Sequence, residues 1–98
     1  MVRHVIIWKL KDEFAADDKV KQGIKNGLEG LAGKIPGLKE IKVNIVALQS
    51  SNCEVMLDSL FEDEDSLKGY AVHPDHVAVA QNIVGPYTAS RNCFDYEV

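Results

Sequence analysis

The segment Tyr70-Ala71-Val72-His73-Pro74-Asp75-His76 sets a phenol and two imidazoles around one helix start, and the third histidine, His4, lies near the opposite end of the chain. Proline at the first helical position places His73 at the cap and His76 in the first turn. The positive end of a helix disfavours imidazolium there. A neutral His76 could therefore accept a proton near pH 7, as abstraction beside a carbonyl requires. Tyr70 or His4 could donate a hydrogen bond to the resulting enolate oxygen. Each group also has a plainer role. His73 can cap backbone donors, Asp75 suits the helix dipole at the surface, His76 can tie helix to sheet, and Tyr70 can be a core aromatic with its hydroxyl satisfied. His73 and His76 are spaced to share a metal with His4. Pro74 fixes the local backbone, however, and a capping His73 faces away, so no zinc site is expected.

These groups need elements to carry them. Residues 2–11 alternate with a period of two, turning His4, Ile6, Trp8 and Leu10 to one face and Val5, Ile7, Lys9 and Lys11 to the other. Acidic Asp12-Glu13 and Asp17-Asp18 mark a helix start. Val20, Ile24, Leu28, Leu31 and Ile35 follow at helical spacing, and Gly33 and Pro36-Gly37 end that helix. A second strand is predicted over 38–48, with Ile41, Val43, Ile45 and Ala47 on one face. A turn at Gln49-Ser50-Ser51-Asn52 leads into a third strand over 53–61. Glu62–Asp65 begins a short helix reaching Tyr70, Pro74 restarts a helix that ends near Gly85-Pro86, and a last strand covers 88–97. The order strand, helix, strand, strand, helix, strand predicts an α+β fold: a ferredoxin-like βαββαβ protomer, an antiparallel four-stranded sheet with helices on one face.

The chain of 98 residues, 46% apolar and 27% charged, suits one soluble globular domain spanning 1–98. A formal net charge of −4 argues against a nucleic-acid partner. No apolar run reaches membrane-span length and the N-terminus lacks a signal-peptide layout, so a cytoplasmic protein with no membrane partner is expected. Cys53 and Cys93 are too few and too distant for a disulfide framework or a zinc motif, and both fall in predicted strands as buried thiols. No glycine-rich phosphate loop appears, and no cofactor is implied.

Both faces of the predicted sheet are greasy. Val5 and Ile7 lie opposite Ile6 and Trp8, Val46 and Leu48 opposite Val43 and Ile45, and Val55, Leu57 and Phe61 opposite Met56 and Leu60. Helices cover one face only, and each large apolar side chain left wet forgoes about 1.5–3 kcal/mol. A second copy packed sheet to sheet is the expected cover.

The start His4-Val-Ile-Ile-Trp-Lys-Leu-Lys11, the helix exit Ile35-Pro-Gly-Leu-Lys39, the Tyr70–His76 segment and the end Phe94-Asp-Tyr96 together resemble the stress-responsive dimeric α/β-barrel (Dabb) family, including its olivetolic acid cyclase-like members, along nearly the whole chain. The resemblance implies that two protomers pair into a dimeric α/β barrel, with a pocket between sheet and helices. In the cyclase-like members the histidines matching His4 and His76 form the catalytic pair, and the tyrosine matching Tyr70 shapes and polarises the pocket. Two positions depart from that pattern: Val55 stands where the cyclase has a pocket histidine, and Leu28 where it has a tyrosine. One plant member resembles this chain in a further way, with a magnesium ion on backbone carbonyls at positions corresponding to Ala32, Ile35 and Leu38.

The leading expectation is a homodimer with a small hydrophobic or aromatic/oxo ligand in a pocket lined by Ile6, Trp8 and His73, and with no assigned reaction. The alternative is a cofactor-independent polyketide cyclase or lyase in which His76 is the base and Tyr70 and His4 polarise a carbonyl. Two further alternatives are a structural stress protein and a cofactor-free monooxygenase.

Overall fold

The computed structural model describes residues 1–98. Its elements are β1 (Val2–Leu10), α1 (Asp18–Glu29), β2 (Leu38–Asn44), β3 (Val55–Phe61), α2 (Glu64–Val72), α3 (Pro74–Val79) and β4 (Thr88–Glu97). A 3-10 turn at Asp12–Phe14 precedes α1, and a π turn at Ala80–Val84 and a 3-10 turn at Gly85–Tyr87 link α3 to β4. The strands form one antiparallel sheet in the order β2-β3-β1-β4. This is the expected plaited ferredoxin-like arrangement.

Strand alternation sets the core. Val2, His4, Ile6, Trp8 and Leu10 of β1 are buried, as are Val55, Leu57, Ser59 and Phe61 of β3. Ile24 and Leu28 of α1, Tyr70 of α2 and Val84 close over them. Ser59, the buried polar residue of β3, donates its hydroxyl to the His4 carbonyl at 2.9 Å, so its burial leaves no orphan donor. Strand β4 differs: nine of its ten residues are exposed, because the helices lie over β1 to β3 and leave it bare.

Helix α1 starts at Asp17, whose carboxylate accepts from the backbone N–H of Lys19 and Val20 at 3.0 and 3.1 Å. It ends at Glu29, earlier than the apolar spacing predicts, with Gly30 as its C-cap. Leu31 and Ile35 keep their core positions in the turns that follow, which is why the periodicity runs on past the helix. The final turn of α1 also completes the sheet edge. Lys25 Nζ donates to Glu29 (2.7 Å) and to the Val43 carbonyl (2.8 Å), and the Val43 N–H donates to Glu29 (2.9 Å). Burial raises the Glu29 pKa, but the Lys25 and Val43 donors outweigh it and hold the carboxyl below its ordinary value. Two side chains thus occupy backbone groups that an edge strand would otherwise expose.

Strand β2 is shorter than predicted. Its last pair is Asn44 with Met56, and β3 begins at Val55, so residues 45–48 have no strand to pair with. Ala47 is exposed, and Val46 and Leu48 are 90% and 78% exposed, so the expected face of Ile41, Val43, Ile45 and Ala47 ends at half-buried Ile45. Strand β3 likewise excludes Cys53, which sits half-buried in the preceding loop, and Cys93 is exposed on β4. The expectation of two buried strand thiols is therefore corrected: one lies outside a strand, and the other is exposed on β4, the strand the helices do not cover.

Gly37 links α1 to β2 at φ +81°, and a Cβ there would collide with the Ser66 side chain, which is itself held by the α2 cap Asp63. Gly37→Ala is expected to cost about 1–3 kcal/mol. Gly23→Ala, where an added Cβ meets nothing within 4 Å, should instead gain about 1 kcal/mol of helix propensity. Calorimetric melting of both variants checks the pair, and shifts of the same sign would contradict this account of the turn.

Candidate functional site

Bare β4 and the end of α2 enclose a cavity of about 560 Å³, bordered by His4, Tyr70, His76, Arg91, Cys93 and Asp95 among others. A smaller space of about 310 Å³ lies deeper, against Ile6, Trp8, Leu28, Leu57 and Val84. Tyr70, His76 and Arg91 border both. The inner space is lined mainly by apolar residues, the outer one adds the charged Glu64, Lys68, Asp95 and Glu97 to a largely apolar wall, and the Tyr70–His76 pair borders both.

Helix geometry builds that pair. Asp63 caps α2 by accepting from the Ser66 N–H at 2.8 Å, and Tyr70 falls on the buried side of the helix's last turns. The chain then turns at His73, whose extended backbone (ψ 131°) is the conformation a following proline favours. The His73 ring accepts the Asp75 N–H at 3.1 Å, so His73 caps α3. It borders neither cavity, which corrects its expected place in the pocket wall. Asp75 is exposed in the first turn of α3. One turn into α3, His76 lies against Tyr70 with ring centroids 4.0 Å apart and planes 31° from parallel. His4 meets Tyr70 edge-on at 6.0 Å, and Phe61 packs on Tyr70 at 5.0 Å. His4, from the start of the chain, thus meets Tyr70, which in turn stacks on His76.

The electrostatics are uneven. The Tyr70 hydroxyl is buried with no hydrogen-bond partner, and His76 Nδ1 is buried without a well-formed one, near only the Ala71 and Tyr70 carbonyls. Burial pushes the Tyr70 phenol up to about 12, so it stays protonated and remains a donor. Burial also pushes the His76 imidazole below its ordinary value, and His4 adds to the effect while the Ala71 and Tyr70 carbonyls oppose it. His4 is the satisfied member: its Nδ1 lies 2.5 Å from an Asp95 oxygen and 3.7 Å from Cys93 Sγ. The Asp95 carboxylate fixes the ring and its tautomer, with Nδ1–H donating. Cys93 donates to the same carboxylate at 3.4 Å, and burial first, then Asp95, raises its thiol pKa.

Asp95, Cys93 and Arg91 are the site residues that sequence reasoning passed over. The signal was present in β4, where alternation puts these three on one face, yet only the β1–β4 register identifies Asp95 as the partner of His4. Ile6 and Trp8 do border a cavity, the inner one. Val55 and Leu28 are both core residues. Of the carbonyls considered for a cation, that of Ile35 already accepts the Leu38 N–H at 3.2 Å.

The family model for the stress responsive A/B barrel domain matches residues 2–98. A dimeric protein of unknown function and ferredoxin-like fold from Bacteroides fragilis is 34% identical, with a TM-score of 0.88 over 99% of this chain and 95% of its own. A dimeric ferredoxin-like protein of unknown function from Thermobifida fusca is 23% identical, with a TM-score of 0.85 over 99% and 90%. Hydroxynitrile lyase from Passiflora edulis is 17% identical, with a TM-score of 0.80 over 99% and 92%. Among curated proteins, no match was found.

Two outcomes follow from the buried, unpaired atoms. Tyr70→Phe removes a hydroxyl that gains nothing from the protein, so it should stabilise the ligand-free chain by about 1 kcal/mol in urea unfolding; a loss of that size would mean the hydroxyl is satisfied. The lowered His76 pKa favours the neutral ring in the folded state. The unfolded chain therefore takes up the proton first as pH falls, and native stability drops from near the ordinary histidine value downward. His76→Gln should flatten that part of the stability–pH curve relative to wild type, with His4, Tyr70 and Arg91 left in place around it.

Proposed function

The chain belongs to the stress responsive A/B barrel domain family, and from that premise we propose that it acts as a homodimer holding a small, largely apolar, oxygen-bearing ligand between sheet and helices. The observation that carries this reading is the partition formed by Tyr70 and His76. A buried polar group left unpaired costs about 1–3 kcal/mol, and here two such atoms belong to residues that border the same pair of cavities. A ligand oxygen reaching them, after a small shift of the ring stack, regains that energy. Its apolar part fits the inner space against Ile6, Trp8 and Leu57. Combined, the spaces are of ordinary ligand-pocket size.

The dimer is supported from the other side of the sheet. Val5, Ile7, Met56, Leu60, Phe94 and Tyr96 occupy the face without helices, and Phe94 is 69% exposed. Two of the solved structures of this fold cited above are described as dimeric. Sedimentation equilibrium is expected to give twice the 10.8 kDa chain mass. Phe94→Asp should halve it while leaving far-UV circular dichroism unchanged. A wild-type particle of single-chain mass sinks the dimer.

A second reading, that the pocket is catalytic, is favoured by the same partition together with the His4–Asp95 pair. His76, kept neutral by burial, takes a proton from carbon beside a carbonyl; Tyr70, kept protonated, donates to the oxygen that gains charge; Asp95 positions His4. This is the acid–base chemistry of an aldol-type cyclase or a lyase. The test begins with native mass spectrometry of protein taken directly from cells, which should show a retained small molecule. With that compound or its oxo precursor, His76→Ala should keep binding and lose turnover by about two orders of magnitude or more. Turnover equal to wild type removes His76 as the base, and an empty pocket in every preparation removes the ligand reading as well.

A further inference from the structure

His4 stands opposite Asp95, and Ile6 opposite Cys93, in the β1–β4 register. Cys93 and Asp95 are two apart on one strand, so their side chains share the face to which His4 also points. A nitrogen, a sulfur and an oxygen donor thereby meet at one place, all within 4.8 Å of one another. The separations are 3.7 Å from Cys93 Sγ to His4 Nδ1, 3.4 Å from Cys93 Sγ to Asp95, and 2.5 Å from His4 Nδ1 to Asp95. Tetrahedral zinc, with bonds of about 2.0–2.3 Å, holds such donors roughly 3.3–3.8 Å apart. Two edges of the triangle already have that spacing, and the third needs one hydrogen bond to open by roughly an ångström.

We propose that His4, Cys93 and Asp95 form a three-ligand site for a divalent transition-metal ion of the zinc type, with the fourth coordination position open to the outer cavity. His4 is 5% exposed and fixed in the sheet, which supplies one rigid ligand, whereas the Asp95 side chain is 42% exposed and free to move aside. The surrounding field suits a cation: Glu64, Asp95 and Glu97 border the cavity against Lys68 and Arg91. On binding, the Cys93 thiol gives its proton to solvent and His4 moves its proton from Nδ1 to Nε2. Thiolate, carboxylate and neutral imidazole then balance the charge of the ion. A thiolate with an imidazole selects zinc or cobalt over magnesium and calcium, which prefer oxygen donors. The site stands whether or not an organic ligand occupies the pocket, since coordination is read without one.

Cobalt(II) is the probe, added to the reduced full-length protein. The site predicts visible bands of a four-coordinate ion and one sulfur-to-cobalt charge-transfer band, displaced by stoichiometric zinc and unaffected by excess magnesium. Cys93→Ser, an isosteric change at an exposed position, should abolish the charge-transfer band, and Asp95→Asn should weaken cobalt binding on the order of tenfold or more. Cys53→Ser should change neither. Melting curves confirm that each variant is folded. Absence of the charge-transfer band in wild type, its survival in Cys93→Ser, or its loss in Cys53→Ser overturns the assignment.

Discussion

Helical cover over three strands of a four-stranded sheet is the constraint from which the rest of this molecule follows. The helices bury alternate residues of β1 and β3 and leave β4 with nine exposed residues of ten. A strand buried on its inner face would carry aliphatic residues there. Bare β4 carries Arg91, Cys93 and Asp95 instead, and each can be polar because water or a ligand reaches it. The cavity is therefore the ordinary consequence of incomplete cover. Its chemistry comes from the one buried strand that borders it, β1, through His4.

The polar groups of the site divide by how they are satisfied. His4 is nearly enclosed and has Asp95 at 2.5 Å, which makes its burial tolerable. Ser59, equally buried, has the His4 carbonyl. Tyr70 and His76 lie only a few residues away in space and have no well-formed hydrogen bond to the hydroxyl or to Nδ1. A fold optimised for stability alone would place phenylalanine and an apolar residue there, because an unpaired buried donor weakens the native state and a phenyl ring does not. Burial keeps one of these groups protonated and the other neutral, the pair of states that donation and acceptance require. The stability forgone and the chemistry made available have the same cause.

Much of this was legible in the chain because the governing patterns are local. Period-two alternation in residues 2–11 identified the buried face of β1, including His4. His73-Pro74 identified a cap, and His73 takes that role at 3.1 Å from the Asp75 N–H. What could not be read depended on pairing between distant segments. Helix α1 stops at Glu29, whose carboxylate reaches the edge of β2, a contact between residues 14 apart in sequence. Strand β2 stops at Asn44 because β3 supplies no further partner. Asp95 gains its meaning only from lying across from His4, 91 residues earlier. Cys93 looked like a core thiol because nothing in its own neighbourhood records that the helices fail to reach β4.

Alternation on β4 also joins the two faces of the sheet. Phe94 points to the face without helices, beside Val5, while Cys93 and Asp95 point to the cavity beside Ile6 and His4. An edge strand covered on neither side is held in the protomer mainly by its ladder to β1, so any displacement of its backbone would carry both sets of residues together. Packing a second copy against Phe94 and Tyr96 would immobilise that backbone and with it the position of Asp95 relative to His4. The geometry at the cavity is thus tied to what covers the opposite face. This coupling needs no conformational relay. It arises because one strand, with a repeat of two residues, supplies the outer face with its aromatics and the inner face with its acid and thiol.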